Sequence, residues 1–151
     1  GTDVYTAESG SHGVELLRGV RLTSGIHSWQ VEVLKICSAF WAGIALESID
    51  KNSWLGKQQG GWVVGSNGSA NHATGIDNGP YNPEFVTFGQ GAILKFKLDL
   101  TGDGHLSVAV NGVTCNKVFT GICTRAAGEP LVPALSLKSP GSASVRWMFG
   151  A

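Results

Sequence analysis

Charge is scarce in this chain: Asp, Glu, Lys and Arg together make up 15% of its 151 residues. Eleven basic residues balance eleven acidic ones, for a formal net charge of zero. No basic stripe is available to neutralise phosphates, so no nucleic-acid partner is expected. A long apolar run is also missing. The longest, Ile36 to Leu46, is well short of the ~20 residues that a membrane-spanning helix needs. No signal-peptide pattern opens the chain, and no membrane association is expected. Cysteine is limited to Cys37, Cys115 and Cys123. An odd number without CxxC spacing argues against a disulfide framework and against a zinc site. Cys37 lies in an apolar stretch and reads as a small buried residue. A reducing, intracellular compartment fits this usage best.

What is abundant is apolar residues, at 42%, and glycine, at 22 residues. The first marks a packed globular chain rather than a disordered one. A single domain of this length hides roughly 70% of its unfolded surface. The second implies many turns, hence many short strands. Alternation supports that reading. In "HSWQVEV", Trp29, Val31 and Val33 share one face. In "AILKFKLDL", Leu94, Phe96, Leu98 and Leu100 alternate with Lys95, Lys97 and Asp99. "TGDG" follows, then "HLSVAVNG" with Leu106, Val108 and Val110 on one face, which predicts a hairpin. "SVRWMF" repeats the pattern. "FWAGIAL" is apolar throughout and predicts a strand buried on both faces. "PLVPALSL" carries Pro130 and Pro133, which belong at strand starts, edges or bulges. Ser66 to Pro83, rich in glycine and asparagine, reads as mostly loop. Roughly ten or more short strands with little helix predict an all-β antiparallel sandwich. Trp29, Trp41, Trp62 and Trp147 are expected in its core.

Catalytic chemistry finds little footing. No GxSxG elbow occurs, and Gly89-Gln90-Gly91 opens no helix that would cradle a phosphate. His12, His27, His72 and His105 lack ligand spacing, and His27 and His105 read as exposed or locally bonded. A glycosidase needs two carboxylates about 5 Å or about 9 Å apart across a cleft. Glu32, Glu47, Asp50 and Glu84 are the available candidates, and nothing in the pattern pairs them. Asp99 and Asp103 bracket a turn without the calcium ligand ladder. Asn67-Gly68-Ser69 is a formal glycosylation sequon with no further support. No cofactor, no metal and no enzymatic activity are expected.

Several motifs, in order, resemble one family. "SGIHSWQVEV", "WAGIAL", "GGWVVGSNG", "YNPEFVTFGQGAILKFKLDLTGDGHLSVAVNG", "KVFTGI" and "EPLVPALSLKSPGSASVRWMFG" are similar to consecutive strand motifs of SPRY domains. Residues 24–150 carry the likeness, and residues 1–23 match loosely, closest to SPRY modules of ubiquitin-ligase adaptors. Gln90-Gly91-Ala92 stands where Gly-Asp-Val is usual. The resemblance implies a single SPRY-type domain, 1–151, folded as a bent antiparallel β-sandwich. It also implies a non-catalytic module, monomeric within a larger protein. Such a module binds a short peptide or a partner surface through loops at one end of the sandwich. Position by position, it places partner contacts at Trp54, Leu55 and Gly56 after the "WAGIAL" strand, and at Glu47 at that strand's end. It adds Lys138 and Ser139 after the "PALSL" strand, and Tyr5 on an N-terminal wall. Arg18 and Arg21 come too late to supply the arginine that these adaptors use on that wall.

Two readings of Trp54 stay open. As an interface anchor it offers a flat apolar surface and an indole N–H. As a structural residue it pins its own loop onto the sandwich. The anchor reading expects Trp54→Ala and Leu55→Ala to abolish capture with little loss of stability. A second class of function is a lectin-like carbohydrate binder or glycosidase on a similar sandwich, with Trp54, Asn71 and His72 facing a sugar. A third is a purely structural domain with a large apolar patch.

Overall fold

The computed structural model describes residues 2–9, 14–17, 20–36, 40–51, 54–72, 87–137 and 141–149. Cys37, Glu84, Lys138 and Ser139 lie outside the described residues. Eleven strands among the described residues form two antiparallel sheets. One has six strands: β1 (Thr2–Ser9), β11 (Gly141–Phe149), β3 (Ile26–Ile36), β7 (Ile93–Asp99), β8 (His105–Val110) and β9 (Val113–Phe119), in that order across the sheet. The other has five: β2 (Val14–Leu16), β10 (Leu131–Leu137), β4 (Phe40–Leu46), β5 (Gly61–Gly65) and β6 (Ala70–Asn71).

The alternating segments form the six-stranded sheet, and their apolar positions face the five-stranded one. Trp29, Val31 and Val33 of β3, Leu94, Phe96 and Leu98 of β7, and Leu106, Val108 and Val110 of β8 are all buried in one core. The registers explain the agreement: Trp29 lies opposite Phe96, and Phe96 opposite Val108. Period-two alternation holds paired apolar positions on one face. The rings of Trp29 and Phe96 stack at 5.3 Å and 9°. From the other sheet, Ala42, Ile44, Trp62, Val64, Leu131 and Leu135 complete this core. Trp29, Trp41, Trp62 and Trp147 are all buried.

The β7–β8 hairpin forms where the sequence predicts it. Asp99 accepts hydrogen bonds from the Thr101 backbone N–H, at 2.9 Å, and from the Thr101 hydroxyl. Gly102 and Gly104 take φ values of 71° and 85°, which favour glycine. The short helix α1 (Ile122–Ala126) packs under this turn. Cys123 N–H donates to the Asp103 carbonyl at 2.7 Å, and the Thr124 hydroxyl to the Asp103 carboxylate at 2.7 Å. Five residues carry no usable helical period, so tertiary contact rather than sequence pattern sets α1.

One expectation needs correction. Pro133 is neither at a strand start nor on an edge: it sits inside β10, which pairs with both β2 and β4. The ladder with β2 covers only Ala134 to Ser136. Leu17 N–H donates to the Pro133 carbonyl at 2.9 Å, so the missing proline N–H points to the side where β2 has just ended. In the Ser66–Pro83 stretch, read as mostly loop, Ala70–Asn71 form the short strand β6; residues 73–83 lie outside the described residues.

β4 and β5 approach closely at Gly43, opposite Val63. A Cβ there would fall 2.0 Å from the Trp62 carbonyl oxygen. Gly43→Ala must therefore push backbone apart, at a cost of about 3 kcal/mol, seen as a melting temperature lower by roughly 10 °C. The Asp99 carboxyl is held below its ordinary value of 3.8, first by the Thr101 hydroxyl and then by the Thr101 N–H. A depressed carboxylate stabilises the fold above its unfolded pKa and loses that contribution as pH falls through its folded value. Melts of wild type and Asp99→Asn should differ at about pH 6 and converge as acid protonates the wild-type side chain.

Candidate functional site

The five-stranded sheet has a second face, away from the main core, and it too is largely covered. Trp41, Ala45, Val63, Ala134 and Val14 face outward from adjacent strands, and Trp54 and Leu55 lie over them as a second buried cluster. The covering segment is a single 3-10 turn, Leu55–Lys57. Trp54 meets Trp41 edge to face, with ring centroids 5.1 Å apart and planes at 67°. Leu55 N–H donates to the Ser136 hydroxyl at 3.0 Å, in a buried hydrogen bond. Small residues let the turn lie this close. A Cβ on Gly61 would stand 2.4 Å from the Leu55 carbonyl oxygen, and one on Gly56 2.4 Å from the Trp54 ring.

Trp41 is held from its other side as well. Its indole N–H donates to the Ser69 hydroxyl at 3.1 Å, which also accepts from the Asn71 amide at 2.8 Å and donates to Asn67 at 2.7 Å. Asn71 and His72 are buried, and the His72 ring stacks on Trp62 at 4.6 Å while its Nδ1 lies 2.8 Å from the Gly61 carbonyl. These contacts fasten the edge of the sheet.

Next to this cluster lies a hollow of about 230 Å³, floored by Leu16 and Val132 and rimmed by Val20, Arg21, Glu47 and Lys51. Leu16 belongs to both, since it also packs against the second cluster. The β10 backbone explains the rim. Leu17 bonds to Pro133 and Leu22 to Leu131, so Val20 and Arg21 fall in a stretch facing one β10 residue, Val132. On the opposite side, Glu47 N–H donates to Pro130 at 3.1 Å and Ser48 N–H to the Glu129 carboxylate at 3.0 Å, which fixes the turn after β4. Asp50 and Gln58 exchange two hydrogen bonds, 3.0 and 2.8 Å, that clasp the loop carrying Trp54. Across the rim Arg21 Nε meets Glu47 at 3.0 Å, both side chains being well exposed (61% and 46%). An exposed pair of this kind contributes about 0–1 kcal/mol to stability.

The partner contacts expected from sequence that lie among the described residues fall into three groups. Trp54, Leu55 and Gly56 come together, but inward: Trp54 is 5% exposed and Leu55 0%. Buried this far, the indole pins its own loop onto the sheet. Glu47 stands on the rim, paired with Arg21. Tyr5 lies on β1, opposite Val145 in the other sheet, and so on a different sheet from the hollow. Sequence reasoning missed Arg21, Lys51 and Ser136. Ser136 carried a signal, because a lone hydroxyl in an apolar strand buried on both faces needs a partner.

The carboxylates and histidines weighed for reaction chemistry are engaged separately. Glu32 is bonded to Arg146 at 2.6 Å on the six-stranded sheet, whereas Glu47 pairs with Arg21 beside the other. His27 lies 2.6 Å from the Ser24 carbonyl, and His105 3.8 Å from Asp99, both local contacts. Among the described residues no group of three His, Cys, Asp or Glu side chains gathers to hold a metal. Nor is any helix among them long and apolar enough to cross a membrane.

No protein-family model matches the chain. No curated protein matches it. Among solved structures, the SPRY domain of human HERC1 superposes with a TM-score of 0.79 at 19% identity, covering 97% of this chain and 87% of that one. The two-sheet architecture is thus a SPRY-domain fold, a bent antiparallel β-sandwich, as the motif resemblance implied.

Removing the Trp54 indole opens a cavity between the 3-10 turn and Trp41. Trp54→Ala should cost about 3–5 kcal/mol and lower the melting temperature by roughly 10 °C or more. A conservative Trp54→Phe, which keeps an aromatic edge on Trp41, should recover much of that loss. Thermal or urea unfolding of the pair checks both.

Proposed function

We propose that the domain is a non-catalytic protein-interaction module that grips a short peptide or a partner surface at the Glu47 end of the sandwich. The carrying observation is the hollow beside Glu47: an apolar floor of Leu16 and Val132 under a rim that offers both charges. At about 230 Å³ it is smaller than the ~300–1,000 Å³ of a typical small-molecule site. It suits one or two side chains of a partner. An apolar anchor would fill the floor while Arg21, Glu47 and Lys51 select polar neighbours.

In this reading Trp54, Leu55 and Gly56 act by positioning. They hold the loop between Glu47 and β5 against the sheet, so the rim is in place before a partner arrives. Tyr5, Lys138 and Ser139 remain proposed partner contacts on the strength of the family resemblance. An intracellular setting and a monomeric state within a larger protein belong to the same proposal.

The carbohydrate reading has less support. Trp54, Asn71 and His72, its intended sugar contacts, are all buried. Glu32 and Glu47, two of its carboxylates, are each engaged by an arginine.

Capture experiments with the immobilised domain test the proposal. Arg21→Ala combined with Lys51→Ala should keep the melting temperature within about 2 °C, since exposed charges contribute little to folding. A specific partner retained by wild type should fall about ten-fold or more in recovery. Full retention by the double variant would remove the Glu47 hollow from the proposal. Glycan-array binding that survives the same substitutions would favour the carbohydrate reading.

A further inference from the structure

We propose that the outer face of the six-stranded sheet is a second binding surface, which takes an extended acidic segment of a partner protein with carboxylates at alternate positions. This face lies on the opposite side of the molecule's core from the five-stranded sheet, and its use does not depend on the Glu47 hollow. It encloses an open trough of about 590 Å³.

The trough's charge is one-sided. Lys95 and Lys97 are both exposed and both line it, and no carboxylate lines it among the described residues. The nearest acids are already engaged at its margins: Glu32 by Arg146 at 2.6 Å, and Asp99 by Thr101 and His105. Two cations thus stand on one face of a chain whose total charge is zero.

The spacing selects the ligand. Lys95 and Lys97 are two residues apart on one strand, so their stems rise from the same face about 7 Å apart. Ile93 continues the row two residues earlier and is 37% exposed. β7 therefore shows an apolar, cationic, cationic pattern at strand spacing. An extended peptide repeats its side chains at the same interval, so an apolar residue and two alternate acids match it. Donors flank the row: Gln30 lies opposite Lys95, and Ser28 and Ser107 lie on either side of Lys97. A single phosphate is a poorer match. The lining supplies no guanidinium fork for bidentate contact with a phosphate, only the point charges of two lysines. A sugar would want an exposed ring, and the rings of Trp29 and Phe96 lie beneath the sheet.

Fluorescence polarisation with a labelled nine-residue peptide tests this. The probe carries valine, glutamate and glutamate at alternate positions between serines. A control of the same composition places the two glutamates side by side. Wild type should bind the alternating peptide more tightly than the control, and more weakly as salt rises. Lys95→Gln with Lys97→Gln should weaken that binding about ten-fold with an unchanged melting temperature. Arg21→Ala with Lys51→Ala should bind it as wild type does, which separates this surface from the Glu47 hollow. The proposal is overturned if the alternating peptide does not bind, or if the lysine variant or the control peptide binds equally well. Displacement by inorganic phosphate beyond what chloride achieves at equal ionic strength would also overturn it, in favour of a small-anion site.

Discussion

The structure turns on a sheet that must be dry on both faces. Antiparallel sheets commonly leave one face to water, and the six-stranded sheet does so. The five-stranded sheet does not: every residue from Trp41 to Ala45 and from Gly61 to Gly65 is buried. Its inner face meets the main core, and its outer face carries Trp41. A tryptophan there needs a cover, and Trp54 supplies it edge to face at 5.1 Å. That single contact fixes where the 3-10 turn lies. It requires glycine at positions 56 and 61, and it gives the Ser136 hydroxyl its place beneath Leu55. The loop from Glu47 to Gly60 follows from it, because its middle is bound to the sheet and its ends are the β4 and β5 strands.

The two sheets consequently offer different surfaces. Across β3, β7 and β8 the six-stranded sheet keeps an unbroken register, so its outside carries mostly polar groups at regular spacing, with Ile93 among them. Lys95, Lys97, Gln30 and Ser107 occupy positions set by register alone. The five-stranded sheet offers only what its cover leaves open, at the margin between β2 and the turn after β4. There the surface mixes an apolar floor with an Arg21–Glu47 pair that contributes little to folding. Under the proposed function, charges that add little to folding are the ones free to select a partner's polar groups.

Much of the architecture was legible in the sequence, for physical reasons. Strands β3, β7, β8 and β11 announce themselves by alternation, since one of their faces is wet. β4 announces itself by the lack of it. Elements fixed by distant partners were not legible. α1 has five residues and depends on the Asp103 backbone and carboxylate. Pro133 lies inside a paired strand because β2 stops one residue short of it, which no local pattern reveals. Around the hollow, position on the chain singled out Glu47 as an expected contact, and the structure places it on the rim. Its partner Arg21 was not singled out, because the pair forms across a stretch that faces only Val132 of β10. A motif alignment preserves order along a chain, whereas this contact joins Arg21 and Glu47 across β10.

Trp54 shows where pattern reading stops. Its neighbours Asp50, Lys51, Lys57 and Gln58 are loop chemistry, and a large apolar residue among them fits both an anchor for a partner and a peg for the loop. The deciding feature lies elsewhere in the chain: Trp41, whose strand is apolar throughout, and the glycines that bring the turn down onto it. A side chain belongs to whichever apolar surface is already present when the chain folds, and Trp41 is present in every copy of the protein whereas a partner is not. Under the proposed function the buried indole serves binding indirectly. It takes conformational freedom from the loop between Glu47 and β5, and a rim ordered beforehand loses less entropy on association.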